Sequence, residues 1–132
     1  MTRIIFISHN KLAEGMQKAV EMIAGPQPHV ESYGLMPGQR PDDIVAHIRQ
    51  SIKADEQVLI LADLVGGSMC NAAMTLLDLP NVQLIGGMNL ALALQVVLTP
   101  PASADEINHV IKQAQTNVQH VILKKVKDDS FF

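Results

Sequence analysis

VLILADLVGGS, residues 58 to 68, decides the fold. Its first five residues, Val58 to Ala62, are apolar without the alternation of a half-exposed strand, as a strand covered on both faces requires. Asp63 ends the run, and Gly66-Gly67-Ser68 leads into Ala72, Ala73, Leu76 and Leu77 at helical spacing, with Ser68 the expected cap. A buried strand, a glycine turn and a helix make the βα unit of an open parallel sheet. Such sheets gather their chemistry at the carboxyl ends of the strands, beside helix amino ends.

The same grammar repeats in both directions. Upstream, RIIFISHN (3 to 10) holds an apolar strand, Ile4 to Ile7, that ends at Ser8. A helix from Lys11 to Ala24 turns Leu12, Met16, Ala19, Val20 and Ile23 inward and Glu14, Lys18 and Glu21 outward, until Gly25-Pro26 stops it. His29 to Tyr33 reads as a short second strand, and Pro37-Gly38 as a turn. Pro41-Asp42-Asp43 opens a helix buried through Ile44, Val45, Ile48 and Ile52. Downstream come a strand from Val82 to Ile85 and a helix from Asn89 to Leu98, closed by Pro100-Pro101. Ser103 with Glu106 three residues on is a capping box for a helix from Ala104 to about Asn117. Residues 120 to 126 read as a last strand. Right-handed crossovers then give an α/β fold, a single doubly wound, mostly parallel sheet with helices on both faces and the last strand at an edge. One domain, 1–132, is expected.

Composition narrows the function. The chain has 132 residues, 48% hydrophobic, with a formal net charge of −3 and its lysines and arginines scattered, which argues against a nucleic-acid or anionic-membrane surface. Cys70 is the single cysteine, so no internal disulfide forms, and no signal peptide precedes the first strand; a cytoplasmic protein is expected. The longest apolar segment, Leu84 to Leu98, is broken by Gly86, Gly87, Asn89 and Gln95 and is too short to span a bilayer.

Two residues stand out as chemistry. His9 follows a fully apolar strand and lies in the first βα loop between Ser8 and Asn10, unlike His29, His47, His109 and His120, which read as structural or surface residues. Asp63 leaves the sheet at the same edge, where an unpaired buried carboxylate would be costly. It is either a turn-capping residue or the acceptor of the His9 Nδ1–H bond, which leaves Nε2 with a free lone pair. Gly66, Gly67 and Ser68 offer backbone amides and a hydroxyl to an anion such as a phosphoryl group. No Walker lysine and no acidic metal cluster occurs, so neither ATP nor magnesium is implied, and no metal or other cofactor is expected. His9 and Asp63 alone are too few for a metal site, and Cys70 reads as a core residue.

These residues resemble the mannose-type enzyme IIA components of the bacterial phosphoenolpyruvate-dependent sugar phosphotransferase system. The resemblance covers nearly the whole chain. It rests on Ser8-His9, on the Pro37-Gly38 turn, on Asp63 to Ala73 (Asp-x-x-Gly-Gly-Ser followed by Asn-Ala-Ala), and on Gly87 to Leu90. It implies that His9 is phosphorylated, that Asp63 orients it, and that Ser68 with the amides near Gly66 and Gly67 holds the phosphate. It implies the histidine-containing phosphocarrier protein as donor and enzyme IIB as acceptor, with an indirect link to the membrane enzymes IIC and IID, where sugar specificity mainly resides. It also implies a homodimer that exchanges a C-terminal strand, for which residues 120 to 126 are the candidate. The chain stops at Phe132 without a linker to a IIB domain, so a free-standing IIA subunit is expected.

Departures from the family pattern are Asn10 where glycine is frequent, Met69 and Ala91 where proline is frequent, and Leu64 and Val65 in place of polar and aromatic residues. Two alternatives stand beside it, the first of which shares the fold. The phosphotransfer subunit of phosphoenolpyruvate-dependent dihydroxyacetone kinase has the Ser-His start but usually ends its third strand in Asp-Leu-Gly-Ser. A receiver-like signalling domain would be phosphorylated on the strand-three aspartate and would need acidic residues where Ser8-His9-Asn10 stands.

Overall fold

A computed structural model describes residues 2–123. Four parallel strands, β1 (Arg3–His9), β2 (Val30–Leu35), β3 (Val58–Ala62) and β4 (Val82–Gly86), lie in the order β2-β1-β3-β4. The helices are α1 (Leu12–Ala24), α2 (Pro41–Ser51), α3 (Ser68–Ala73), α4 (Leu90–Leu98) and α5 (Ala104–Gln115), and a 3₁₀ turn, Met74–Asp78, continues α3. This is the α/β, parallel, helix-covered sheet expected from the sequence.

Side-chain alternation along the inner strands explains the two layers. Ile4, Phe6, Leu59 and Leu61 point to one face, where they pack with Ala13 and Val20 of α1, Leu92 and Val96 of α4, and Ile107 and Val110 of α5. Ile5, Ile7, Ile60 and Ala62 point to the other, against Val45 and Ile48 of α2 and Met69 and Ala73 of α3. Each fully buried Ile or Leu is worth about 1.5–3 kcal/mol of transfer free energy, so β1 and β3 anchor the structure. Because α1 leaves β1 over one face and α3 leaves β3 over the other, a crevice opens between the two strands at their carboxyl ends. That is the topological switch point where ligands bind in such sheets.

The opposite end of the sheet is closed by Arg3. Its guanidinium donates to both carboxylate oxygens of Glu31, to Glu56, and to the carbonyl and hydroxyl of Ser51. Nearby, the buried Asn81 amide donates to the carbonyls of Lys53 and Glu56, at 2.8 and 2.7 Å.

Several local expectations need correction. Ser68 does not cap α3: Gly67 occupies the cap position, and Ser68 is the first helical residue with its side chain exposed toward His9. In α1 the buried row is Ala13 and Val20 with Met16 partly covered, whereas Leu12 and Ile23 are 52% and 62% exposed. Apolar periodicity defines a stripe, and the small Ala13 lets the helix approach the sheet on the neighbouring row. Leu77 is exposed because the helix tightens after Ala73: a three-residue turn sets Leu76 below Ala73 and rotates Leu77 outward. No strand forms over 120–123, where Val121, Ile122 and Leu123 are exposed; residues 124–126 of that expected strand lie outside the described residues. Ser103 caps α5 as expected, its Oγ accepting from the Glu106 amide at 3.2 Å, but the Glu106 carboxylate accepts from the Ala102 amide at 2.9 Å, one residue before the amide that a full capping box would use.

Candidate active site

His9 is the last residue of β1, and both of its neighbours are pinned. Ser8 is fully buried, and its Oγ accepts a 2.7 Å bond from the Ala13 amide. That bond serves a helix end at which Lys11 gives no side-chain cap. Asn10 takes the left-handed backbone conformation, φ +50°, which asparagine tolerates better than most residues with a side chain. Its Oδ1 accepts from the Lys11 amide at 2.9 Å, and its own amide donates to the Leu35 carbonyl at 2.8 Å. Asn10 thus meets the backbone demand for which glycine is the usual residue.

Asp63 continues β3 by one residue, its amide donating to the Ile7 carbonyl at 3.1 Å. The carboxylate is almost wholly buried at 4% side-chain exposure, whereas the His9 side chain is 49% exposed. Oδ2 accepts from the His9 amide at 2.9 Å and from His9 Nδ1 at 2.7 Å; Oδ1 accepts from the Leu64 amide at 2.9 Å. The alternatives left open by the sequence, turn cap and histidine partner, are therefore both realised, one by each oxygen. Burial pushes the Asp63 carboxyl upward, but the His9 amide, the His9 ring and the Leu64 amide outweigh it and hold it below the usual aspartate value. An ionised Asp63 makes Nδ1 the donor and leaves the Nε2 lone pair outward.

Nε2 faces the Ser68 hydroxyl at 3.1 Å, a bond the hydroxyl donates in this tautomer. Gly66 has φ +84°, the conformation that lets the chain reverse between Asp63 and α3, and its carbonyl accepts from the Asn71 side chain at 3.3 Å. At Gly67 a side chain would press on both sides: a Cβ would stand 3.3 Å from His9 Cε1 and 3.0 Å from Leu64 Cδ2. The Asn71 amide closes the first helical turn onto the Gly67 carbonyl, so the Ser68, Met69 and Cys70 amides precede the first such bond.

The structure thus brings His9, Asp63, Gly66, Gly67 and Ser68 together at one edge. Cys70 is buried, and burial pushes its thiol pKa up. His47 lies edge-on to Tyr33 with ring centroids 5.8 Å apart, and His109 lines a groove between α4 and α5. Among the described residues no three His, Cys, Asp or Glu side chains converge as a metal site would require. Sequence reasoning missed the parts played by Ser8 and Asn10. The only signal for Asn10 was a residue tolerant of positive φ directly after a strand end.

In this open α/β sheet a half-exposed histidine stands at the switch point, one ring nitrogen fixed by a buried carboxylate and the other beside a hydroxyl, an arrangement in which the second nitrogen has a lone pair free to act as a nucleophile. Comparison with known proteins supplies the family. Residues 3–115 match the family described as the PTS system fructose IIA component. Over 100 residues, 74% of this chain and 73% of the relative, the sequence is 35% identical to the PTS system sorbose-specific EIIA component of Klebsiella pneumoniae. The mannose/sorbose-specific IIA subunit of Enterococcus faecalis superposes with a TM-score of 0.84 at 25% identity, over 96% of this chain and 98% of that one. The IIA protein associated with the fucose utilization operon of Streptococcus pneumoniae gives 0.77 at 26%, over 90% and 92%. The chain belongs to the mannose-type enzyme IIA family of the sugar phosphotransferase system, and is thereby a transferase component of sugar transport.

Proposed function

We infer that the protein carries a phosphoryl group on His9 Nε2, received from the histidine-containing phosphocarrier protein and passed to enzyme IIB. The observation that carries this reading is the asymmetry of the imidazole: Nδ1 is held by Asp63 at 2.7 Å while Nε2 opens toward solvent beside Ser68. The Nε2 lone pair attacks the donor's phosphorus in line, forming the new P–N bond as the donor's P–N bond breaks and its electron pair returns to the donor imidazole. The His9 ring keeps its Nδ1 proton, and the positive charge that develops on it is stabilised by Asp63 Oδ2. Ser68 Oγ, which donates to Nε2 at rest, turns to a phosphoryl oxygen once Nε2 is occupied. The Gly66 and Ser68 amides serve the remaining oxygens, the Gly67 amide donating instead to the Leu64 carbonyl at 3.3 Å. Transfer to enzyme IIB runs the same steps in reverse.

On this reading residues 1–132 form a single cytoplasmic enzyme IIA domain of the mannose type, linked indirectly to the membrane enzymes IIC and IID. No described helix is long and apolar enough to cross a membrane. A homodimer with an exchanged C-terminal strand is supported by Val121, Ile122 and Leu123, β-forming residues that stand exposed beyond α5. Intact-protein mass spectrometry tests the reading, after mixing the chain with phosphoenolpyruvate, enzyme I and the phosphocarrier protein. One added phosphoryl mass that is acid-labile and missing in His9→Ala is expected; uptake surviving in that variant overturns the assignment.

A further inference from the structure

Each edge strand carries a glycine opposite the residue that immediately precedes a site side chain. Gly34 of β2 pairs with Ser8, one before His9, and Gly86 of β4 pairs with Ala62, one before Asp63. Neither glycine has a positive φ, so conformational freedom is not what either position uses. What each provides is space. A Cβ at Gly34 would stand 2.0 Å from the Asn10 carbonyl oxygen and 3.0 Å from its carbon, a collision with backbone that no rotamer change relieves. The Asn10 carbonyl lies there because the Asn10 amide is tied to Leu35 at 2.8 Å and the Ser8 hydroxyl donates to the carbonyl oxygen at 3.4 Å. At Gly86 a Cβ would stand 2.5 Å from Val65 Cγ2 and 3.3 Å from the Val65 Cα and N. Turning the Val65 side chain relieves the first contact and leaves the other two.

We propose that Gly34 and Gly86 are positioning residues for phosphoryl transfer at His9, seating the His9 and Asp63 loops from opposite edges of the sheet; this rests on the phosphotransfer reading of the site. Their missing side chains let the Asn10 carbonyl and the Val65 backbone lie directly on the edge strands. The heights of both loops then set the Nδ1–Oδ2 distance of 2.7 Å and the Nε2–Oγ distance of 3.1 Å. A shift of either loop by the amount a methyl group demands breaks that alignment, because a hydrogen bond tolerates only a few tenths of an ångström before it weakens. Gly34 is the stricter seat, since its neighbour is backbone.

The test compares Gly34→Ala and Gly86→Ala, the latter also in a Val65→Ala background that removes the Cγ2 contact. Two readouts apply: single-turnover transfer from the phosphocarrier protein with its KM, and the ¹⁵N resonances of the His9 ring, which report the tautomer without any donor. Misplacement near 1 Å costs about 100-fold in rate, the loss expected for Gly34→Ala with KM nearly unchanged and the Nδ1–H tautomer no longer sole. Gly86→Ala is expected to lose about 10-fold, shrinking to about 2-fold when measured against Val65→Ala alone. Folded variants with wild-type ring resonances and wild-type rates overturn the proposal, as do losses confined to KM. Should Gly34→Ala not fold, Gly86→Ala with its Val65→Ala partner decides the matter. A wild-type chain that takes up no phosphoryl group refutes the phosphotransfer reading instead, and the ring resonances still decide whether the glycines position His9.

Discussion

The two ends of the central strands use the same chemistry, a cationic or potentially cationic side chain on a carboxylate, to opposite purpose. At the amino end, all five guanidinium hydrogens of Arg3 are engaged, by Glu31, Glu56 and Ser51, and Tyr33 donates to Glu31 at 2.9 Å. The Glu31 bond is the first cause that holds the Arg3 pKa above its already high ordinary value. At the carboxyl end, Asp63 accepts from three donors, but the His9 ring spends only Nδ1 on it and is half exposed. A saturated cluster has no valence left for exchange and contributes stability. A cluster with one ring nitrogen left open beside a rotatable hydroxyl is poised for transfer.

The contrast breaks most visibly at His9. His9→Ala is expected to abolish phosphoryl uptake, read by mass spectrometry, while thermal melting shows a loss of about 1 kcal/mol or less because Asp63 keeps its two backbone donors. Asp63→Asn is expected to fold yet transfer more slowly, by up to about 10⁴-fold, the figure for the equivalent amide in a Ser-His-Asp triad, since the amide can favour the wrong tautomer. Rapid-quench transfer at the wild-type rate would make Asp63 a turn residue and remove the distinction between the ends.

Arg3→Met probes the other side. It leaves Glu31 and Glu56 without their cation and is expected to cost about 2 kcal/mol in urea unfolding, held down by partial solvent access, with transfer per folded molecule unchanged. A slowed transfer step would mean that the two ends communicate. Ser68→Ala sharpens the site end more gently. It keeps the Nδ1 bond and is expected to slow transfer by about 10-fold through the loss of one donor to the phosphoryl oxygens, a modest effect for a site that also has backbone amides.

Acid is expected to have the smallest effect, and to act on both ends in one direction. Asp63 and Glu56 both ionise below their ordinary values of 3.8 and 4.5; for Glu56 the Lys53 amide is the first cause, followed by burial, which opposes it, and then Arg3. Below its ordinary value the unfolded chain binds a proton that the folded chain refuses, so stability is full above about pH 4.5 and declines as pH falls through the lowered folded values. Asp63→Asn should remove the share of that decline belonging to the site, measured by melting between pH 3 and 6. An unchanged decline would assign it to the Arg3 end and other carboxylates.

The site end of this contrast is legible in the chain itself; the Arg3 end is not. Uninterrupted apolar runs at Ile4–Ile7 and Val58–Ala62 announce strands buried on both faces, and the polar residues that end them, His9 and Asp63, fall at the sheet's carboxyl end. The Ser103 cap and the stop of α4 before Pro100-Pro101 are local and form as read. Harder to read were features that depend on which neighbour arrives. Leu12 and Leu77 belong to apolar stripes, yet the approach of α1 along Ala13 and the tightening after Ala73 turn them outward. Ser68 has the composition of a helix cap, but the glycine before it takes that place and frees the hydroxyl for His9. The apolar residues at 121–123, read as part of a strand, carry none in the described residues.

The sequence by itself determined the βα order, the parallel sheet and the presence of His9 and Asp63 at one edge, because burial on two faces and strand ends are consequences of local pattern. Only the tertiary structure decided that one Asp63 oxygen caps its turn while the other holds Nδ1. It alone also set Ser68 at Nε2 and placed glycines at 34 and 86 against neighbouring loops. Those are distances between segments up to some sixty residues apart in the chain, such as the 59 that separate His9 from Ser68. Hydrogen bonds and steric contacts act only over a few ångströms, so they exist only once packing has brought such segments together.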